Sequence, residues 1–205
     1  MKKVISLLSI IFSLFLIAQT EKEHIAAIKT FQKELNAEYL NPKETPLRGD
    51  NLKNFKGHPF FPINLKYRVD ATLVKTENPV PFELPTSSGH FQKYREYGIT
   101  EFEIDGKKYA LTIYQNLRLI EMEKYRDHLF LPFRDETNGK ESYGGGRYID
   151  LKIPEANHIT IDFNLSYQPF CAYNALDYSC PIVPEENRLP IRIEAGVMYD
   201  DVYHH

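Results

Sequence analysis

The chain has 205 residues, of which 42% are hydrophobic, 13% aromatic and 26% charged, with a formal charge of −3. That apolar fraction excludes wholesale disorder, and two cysteines exclude a disulfide-dense scaffold. The near-neutral balance gives no electrostatic basis for binding nucleic acid. A single long apolar run, at the N-terminus, excludes a multi-span membrane protein.

Lys2 and Lys3 precede an uncharged apolar stretch over residues 4–18, and charges resume at Glu21. This is the layout of a secretory leader with cleavage after Ala18. The stretch is shorter than the roughly 20 residues a spanning helix needs, so no membrane span is expected after cleavage. The expected division is a signal peptide over 1–18, a helix and connector over 19–48, and a single β-rich domain over 49–205. The protein is expected to be exported, to a periplasm or the exterior.

Residues 20–40 are predicted to be a helix. Ile25, Ile28, Phe31, Leu35 and Tyr39 recur at spacings of three and four, and Thr20 with Glu23 fits a capping box. All 13 prolines lie at or after Pro42, so long helices are not expected beyond it. Residues 41–64 read as a connector with one short helical turn near 50–55. From Lys66 the pattern has period two, with Tyr67, Val69, Ala71 and Leu73 on one side of a strand. A short strand is predicted over 80–84. Residues 100–104 and 107–114 flank Asp105-Gly106 and predict a type I′ hairpin. Further strands are predicted at 128–133, 147–151, 159–163 and 191–195. Seven or eight short strands and one long helix make a mainly β (α+β) fold: an antiparallel β-sandwich or partly open barrel with an N-terminal helix.

The densest polar stretch is LPFRDETNGKESYGGGRYIDL, residues 131–151. Its glycine run lets backbone amides converge into an anion-binding nest, and Arg147 directly after it could add a bidentate fork. The alternative is a hairpin loop that needs glycine to turn. Ser142 lacks the flanking glycines of a nucleophile elbow, since Lys140 takes one of the two places. In DFNLSYQPFCAY, residues 162–173, Asp162 and Asn164 share a strand face or form an Asx cap. Cys171 and Cys180 are expected to pair as a disulfide in an exported chain. They lack the partners of a zinc site, and no metal or cofactor is expected. His204 and His205 do not by themselves make one.

These blocks, together with CPIVPEENRLPIRIEAG at 180–196, resemble a bacterial family known as domain of unknown function 1684. The resemblance implies a single domain but no activity. It adds weight to a polar site built from Arg134, Asp135, Glu141, Tyr143, Gly145, Gly146, Arg147, Tyr148, Asp162, Asn164, Tyr173, Glu186, Asn187 and Arg188. Arg134, Glu141, Arg147, Asp162 and Arg188 are expected to converge. The expected function is binding of a small anionic or sugar-like molecule. The alternatives are a hydrolase using paired carboxylates among Asp135, Glu141 and Asp162 with an arginine, and a structural or partner-binding envelope protein. The sequence leaves the oligomeric state open.

Overall fold

The computed structural model describes residues 2–199, with side chains from residue 19 onward. The side chains of the expected leader, and His204 and His205, lie outside the described residues. Helix α1 spans Lys2–Leu40. It therefore does not begin at Thr20, and the capping box does not form. Leucine, isoleucine and alanine upstream favour helix, and no proline or glycine interrupts them. The helix ends where Pro42 forbids its continuation, and Asn41 turns the chain by accepting a hydrogen bond from Lys43 N at 3.1 Å. Ile28, Leu35 and Tyr39 are buried along one face, as their spacing requires. Among the described residues, no helix is long and apolar enough to cross a membrane.

A short helix, α2 (Gly49–Asn54), interrupts the connector. Seven strands follow: β1 (Arg68–Lys75), β2 (Phe82–Pro85), β3 (Phe91–Ile104), β4 (Lys107–Asn116), β5 (His128–Phe133), β6 (Arg147–Lys152) and β7 (His158–Asp162). They form one sheet in the order β6-β5-β4-β3-β1-β7, with β2 added to β3, and every pairing is antiparallel. The sheet curls into a half-barrel, so the open barrel holds and the two-sheet sandwich does not. At the β3–β4 turn Asp105 has φ 51° and Gly106 φ 73°, the left-handed pair that Asp-Gly supplies. A bulge in β3 between Glu96 and Gly98 adds the bend that a flat sheet lacks.

Both faces of the sheet are covered. On one, Val69, Leu73, Leu111, Ile113, Leu129, Leu131, Phe133, Ile149 and Ile161 make the main core. On the other, Leu84, Tyr94, Tyr114, Phe130, Tyr148 and Val183 make a second, aromatic layer. Strand alternation assigns the sides: Leu129, Leu131 and Phe133 face the core, whereas Phe130 faces away. Helix α1 contributes to a third cluster, in which Leu35 and Tyr39 pack with Phe55 and Tyr173.

Residues 191–195 do not form the predicted strand. Their alternation is real, since Ile193 and Ala195 are buried. What they lack is a strand partner. Ile193 N donates instead to Asp135 Oδ2 at 2.7 Å, so a side chain satisfies the amide that a ladder would have used.

His58 lies buried in the connector between the rings of Tyr39, at 4.3 Å, and Phe55, at 4.9 Å. Asn36 Oδ1 accepts from His58 N at 2.7 Å and meets His58 Nδ1 at 2.8 Å, which places the proton of a neutral ring on Nδ1. Burial pushes the imidazole down from 6.5 to about 4. The unfolded chain therefore takes up a proton as pH falls below 6.5, which the folded chain refuses until about 4. Stability is lost across that window on acidification, on the order of 3 kcal/mol by its lower end. Urea unfolding at pH 7.5 and 4.5 should show this loss, and His58→Gln should remove the histidine's share of it.

Candidate functional site

Arg147 opens β6, one residue after Gly146. Gly146 has φ 102°, and a Cβ there would fall 2.6 Å from Val183 Cγ2 and 2.8 Å from Phe133 O. Glycine lets β6 start hard against β5. Alternation along β6 then sends Arg147 and Ile149 to the core face, and Tyr148 and Asp150 to the other.

The Arg147 guanidinium is held entirely by the protein. It meets Asp135 Oδ1 at 3.0 Å, and both side chains are 0% exposed. It also donates to Ile193 O at 2.9 Å and to Ala195 O. The rings of Phe133 and Phe61 flank it at 5.1 and 5.7 Å. Burial lowers its pKa and the neighbouring Asp135 opposes that shift. The glycine-flanked arginine thus ties the 191–195 segment to the sheet from inside, and its charge faces no open concavity.

Around it, Asp135 and Ser142 both engage the Thr137 hydroxyl, at 2.9 and 2.7 Å. Asn138 Nδ2 donates to Ser142 Oγ at 2.9 Å. Ser142 is buried within this network, which leaves its oxygen no path to a substrate.

The other site candidates disperse. Arg134 donates to Gly144 O at 3.1 Å. Glu141 pairs with Arg192 at 2.8 Å, chiefly through that hydrogen bond, which holds its carboxyl below the usual range. Tyr143 packs edge-on against Tyr199, and a Cβ on Gly145 would meet the Tyr143 ring. Asp162 Oδ1 accepts from Asn164 N at 3.0 Å as an Asx cap, and Asn164 Oδ1 accepts from Asn64 N at 3.0 Å. Tyr173 donates to Gln168 beside Tyr39. Glu186 accepts from Tyr114 OH at 2.7 Å. Arg188 is exposed, 3.4 Å from Glu185. Of the five residues expected to converge, Arg134 and Arg188 are paired, by a parallel backbone bridge, and no hydrogen bond or ion pair joins the side chains of any two. Arg147 meets Asp135, Glu141 meets Arg192, and Asp162 and Arg188 have local partners. Asp135, Glu141 and Asp162 share no cleft in which two carboxylates could divide acid and base roles.

Asn187 has a different task. Its Nδ2 donates to Thr112 O at 2.8 Å and Pro132 O at 2.7 Å, while its Oδ1 accepts from Thr112 N at 2.8 Å. Strands β4 and β5 pair directly only at Tyr114 and Phe130, and Pro132 has no amide to offer. The buried amide side chain fills the gap in the ladder.

The cavity lies elsewhere, on the aromatic face of the sheet beneath α1. It has a volume of about 480 Å³. Phe31, Leu35 and Glu38 come from α1, Tyr94, Phe130 and Tyr148 from the sheet, and Tyr167, Phe170 and Tyr178 from the following loop. One hydrogen-bonded chain crosses its wall. Asp150 Oδ1 meets His128 Nε2 at 2.9 Å, and Asp150 Oδ2 accepts from Tyr167 OH at 2.9 Å. His128 Nδ1 is buried with no partner among the described residues. Burial, and then the Asp150 charge, push the Tyr167 phenol well above its ordinary value. A second hollow of about 890 Å³ adjoins it through Asn116 and Leu119. Of the fourteen candidates only Tyr148 lines the cavity. The signal for the rest was the alternation of β5 and β6: residues out of phase with the aliphatic core must line whatever lies opposite.

Cys180 stands at the cavity wall and Cys171 is buried beside it. Both are free thiols, so the expected disulfide is not present in this structure. They are adjacent: Cys171 N donates to Cys180 Sγ at 3.2 Å. Hydrogen bonding with Cys180 lowers the Cys171 thiol to about 7 and raises Cys180 in turn. Among the described residues, no group of three or more His, Cys, Asp or Glu could hold a metal ion.

Removing Arg147 alone would leave Asp135 buried without its counterion. Arg147→Met is expected to lower the free energy of unfolding by about 3–5 kcal/mol. Adding Asp135→Asn to that variant should recover part of the loss, measured by urea denaturation.

No curated protein matches the chain. Among solved structures, it is similar to the solution NMR structure of an uncharacterized protein from Haloarcula marismortui, at 31% identity and a TM-score of 0.69. The match covers 91% of this chain and 99% of that one. A family model described as a protein of unknown function, DUF1684, matches residues 53–198, and the chain belongs to that family.

Proposed function

We propose that the protein is an exported small-molecule-binding domain, with its ligand in the cavity between α1 and the aromatic face of the half-barrel. The observation that carries this reading is the cavity itself: a space of about 480 Å³ walled by aromatic rings and crossed by the His128–Asp150–Tyr167 chain. Ligand sites are concave, mostly apolar and equipped with a few oriented polar groups, and this volume falls in their usual range of about 300–1,000 Å³. No lysine or arginine lines the cavity, which argues against the anionic ligand expected from the glycine–arginine block. The basis for export remains the basic and apolar leader over residues 1–18. The buried anchors of α1, from Ile28 to Tyr39, all lie after the expected cleavage point and would stay with the domain.

Titration with a panel of small sugars, aromatic alcohols and amines, followed by amide NMR shifts, tests the cavity. A binder should perturb Tyr94, His128 and Tyr148. Tyr178→Ala, at a half-buried wall position, should weaken it by about tenfold, or 1.4 kcal/mol. Perturbations confined to the Gly144–Arg147 turn would move the site away from the cavity. Export predicts a second outcome. In an oxidising compartment the adjacent Cys171 and Cys180 should join, closing a short loop worth about 2–3 kcal/mol. Thiol titration of the unfolded, unreduced exported protein should then find none, whereas two thiols would show that the pair stays reduced.

A further inference from the structure

We infer, on the footing that this cavity is a ligand site, that the ligand is an organic cation: an amine or quaternary ammonium group on a small apolar body. The sign of the wall points there first. Its charged groups are Glu38 and Asp150, and no lysine or arginine joins them. Asp150 is pinned between His128 and Tyr167 and cannot swing away. Glu38 makes no ion pair among the described residues, and it lines the same space as Asp150. Burial, then Glu44 and Asp150, raise the Glu38 carboxyl. A carboxylate withdrawn from water without a counterion is unfavourable, and a cation between these two would offset both the desolvation and the repulsion.

The rings are an independent observation. Tyr148 stands at 76° to Phe130 with centroids 4.8 Å apart, and at 88° to Tyr167 at 6.0 Å. Phe170 and Tyr178 cross at 82° and 5.0 Å. Rings set near right angles wall the space in several planes, and the faces of such rings attract quaternary ammonium groups. The same faces repel an anion. Tyr148 OH donates to Pro181 O and Tyr167 OH to Asp150, so neither proton is left for a ligand acceptor. Lys124, outside the lining, already stands 5.0 Å over the ring of Tyr125.

Choline and its neutral isostere, 3,3-dimethylbutan-1-ol, separate charge from shape. Both are titrated into the purified protein, read by calorimetry and by the amide shifts of Tyr94, His128, Tyr148 and Tyr178. Choline should perturb these amides and bind at least tenfold more tightly than the alcohol. Glu38→Gln, which breaks no internal ion pair, should weaken choline at least fivefold and leave the alcohol unchanged. Equal affinities, or choline binding unaltered in the variant, overturn the cation while the cavity remains a ligand site. So does a sugar or the alcohol shifting these amides when choline does not. If no compound moves them, the cation and the cavity reading fall together.

Discussion

A guanidinium and a carboxylate, both shut away from water, fasten the last segment of this domain to its sheet. Arg147 at the start of β6 and Asp135 just after β5 meet at 3.0 Å, and each reaches on to the segment that closes the chain. Arg147 takes the carbonyls of Ile193 and Ala195, and Asp135 takes the amide of Ile193. The 191–195 segment is thereby fixed to the paired ends of β5 and β6 without becoming a strand itself. Such a pair adds little net stability over an apolar replacement, because desolvating two charges cancels most of their attraction. Its value is in direction. The 191–195 segment must follow a path that brings two of its carbonyls to the guanidinium and one amide to the second carboxylate oxygen.

That constraint explains why the polar blocks read as a site. Arg147, Asp135, Thr137, Asn164 and Asn187 are hydrogen-bonding groups, and composition places such groups on surfaces or at functional sites. Here all five are buried; Arg147, Asp135, Asn164 and Asn187 complete backbone that the sheet leaves open, and Thr137 steadies Asp135. Asn187 bridges β4 and β5 where their ladder stops, and Asn164 ties the chain before β1 to the end of β7. A residue type alone does not tell an internal cross-link from a ligand contact. The neighbours do, since Arg147 shares its strand face with Ile149, and that phase belongs to the core.

Much of the architecture was legible from short-range rules. The aliphatic stripe of α1, the Asp-Gly turn and the period-two runs of β1, β4, β5 and β6 each depend on neighbours within a few residues. The start of α1 was not, because a capping signature at Thr20 and Glu23 has no effect where the preceding residues already favour helix. The strand predicted at 191–195 failed for the opposite reason: its alternation is tertiary in origin, imposed by Asp135 from 58 residues away. The cavity was the least legible feature. It is assembled from α1, four strands and a proline-bounded loop, and no single segment carries its pattern.

The cavity follows from how the two faces of the half-barrel are packed. On the core face, branched aliphatic side chains interdigitate and fill space. On the other, the covering residues are rings: Tyr94, Phe130 and Tyr148 on the sheet, with Tyr167, Phe170 and Tyr178 opposite them. Edge-to-face rings lock one another at fixed angles, as Tyr148 does with both Phe130 and Tyr167. Rigid planes so held cannot collapse into the space between them as leucines would. Helix α1 in turn cannot settle deeper, because Tyr39 is wedged edge-on against Phe170 and Tyr173. The void is therefore built into the aromatic layer, and its negative wall is set by two residues whose positions are fixed by other tasks: Asp150 by the phase of β6, and Glu38 by the turn of α1 that also seats Leu35 and Tyr39.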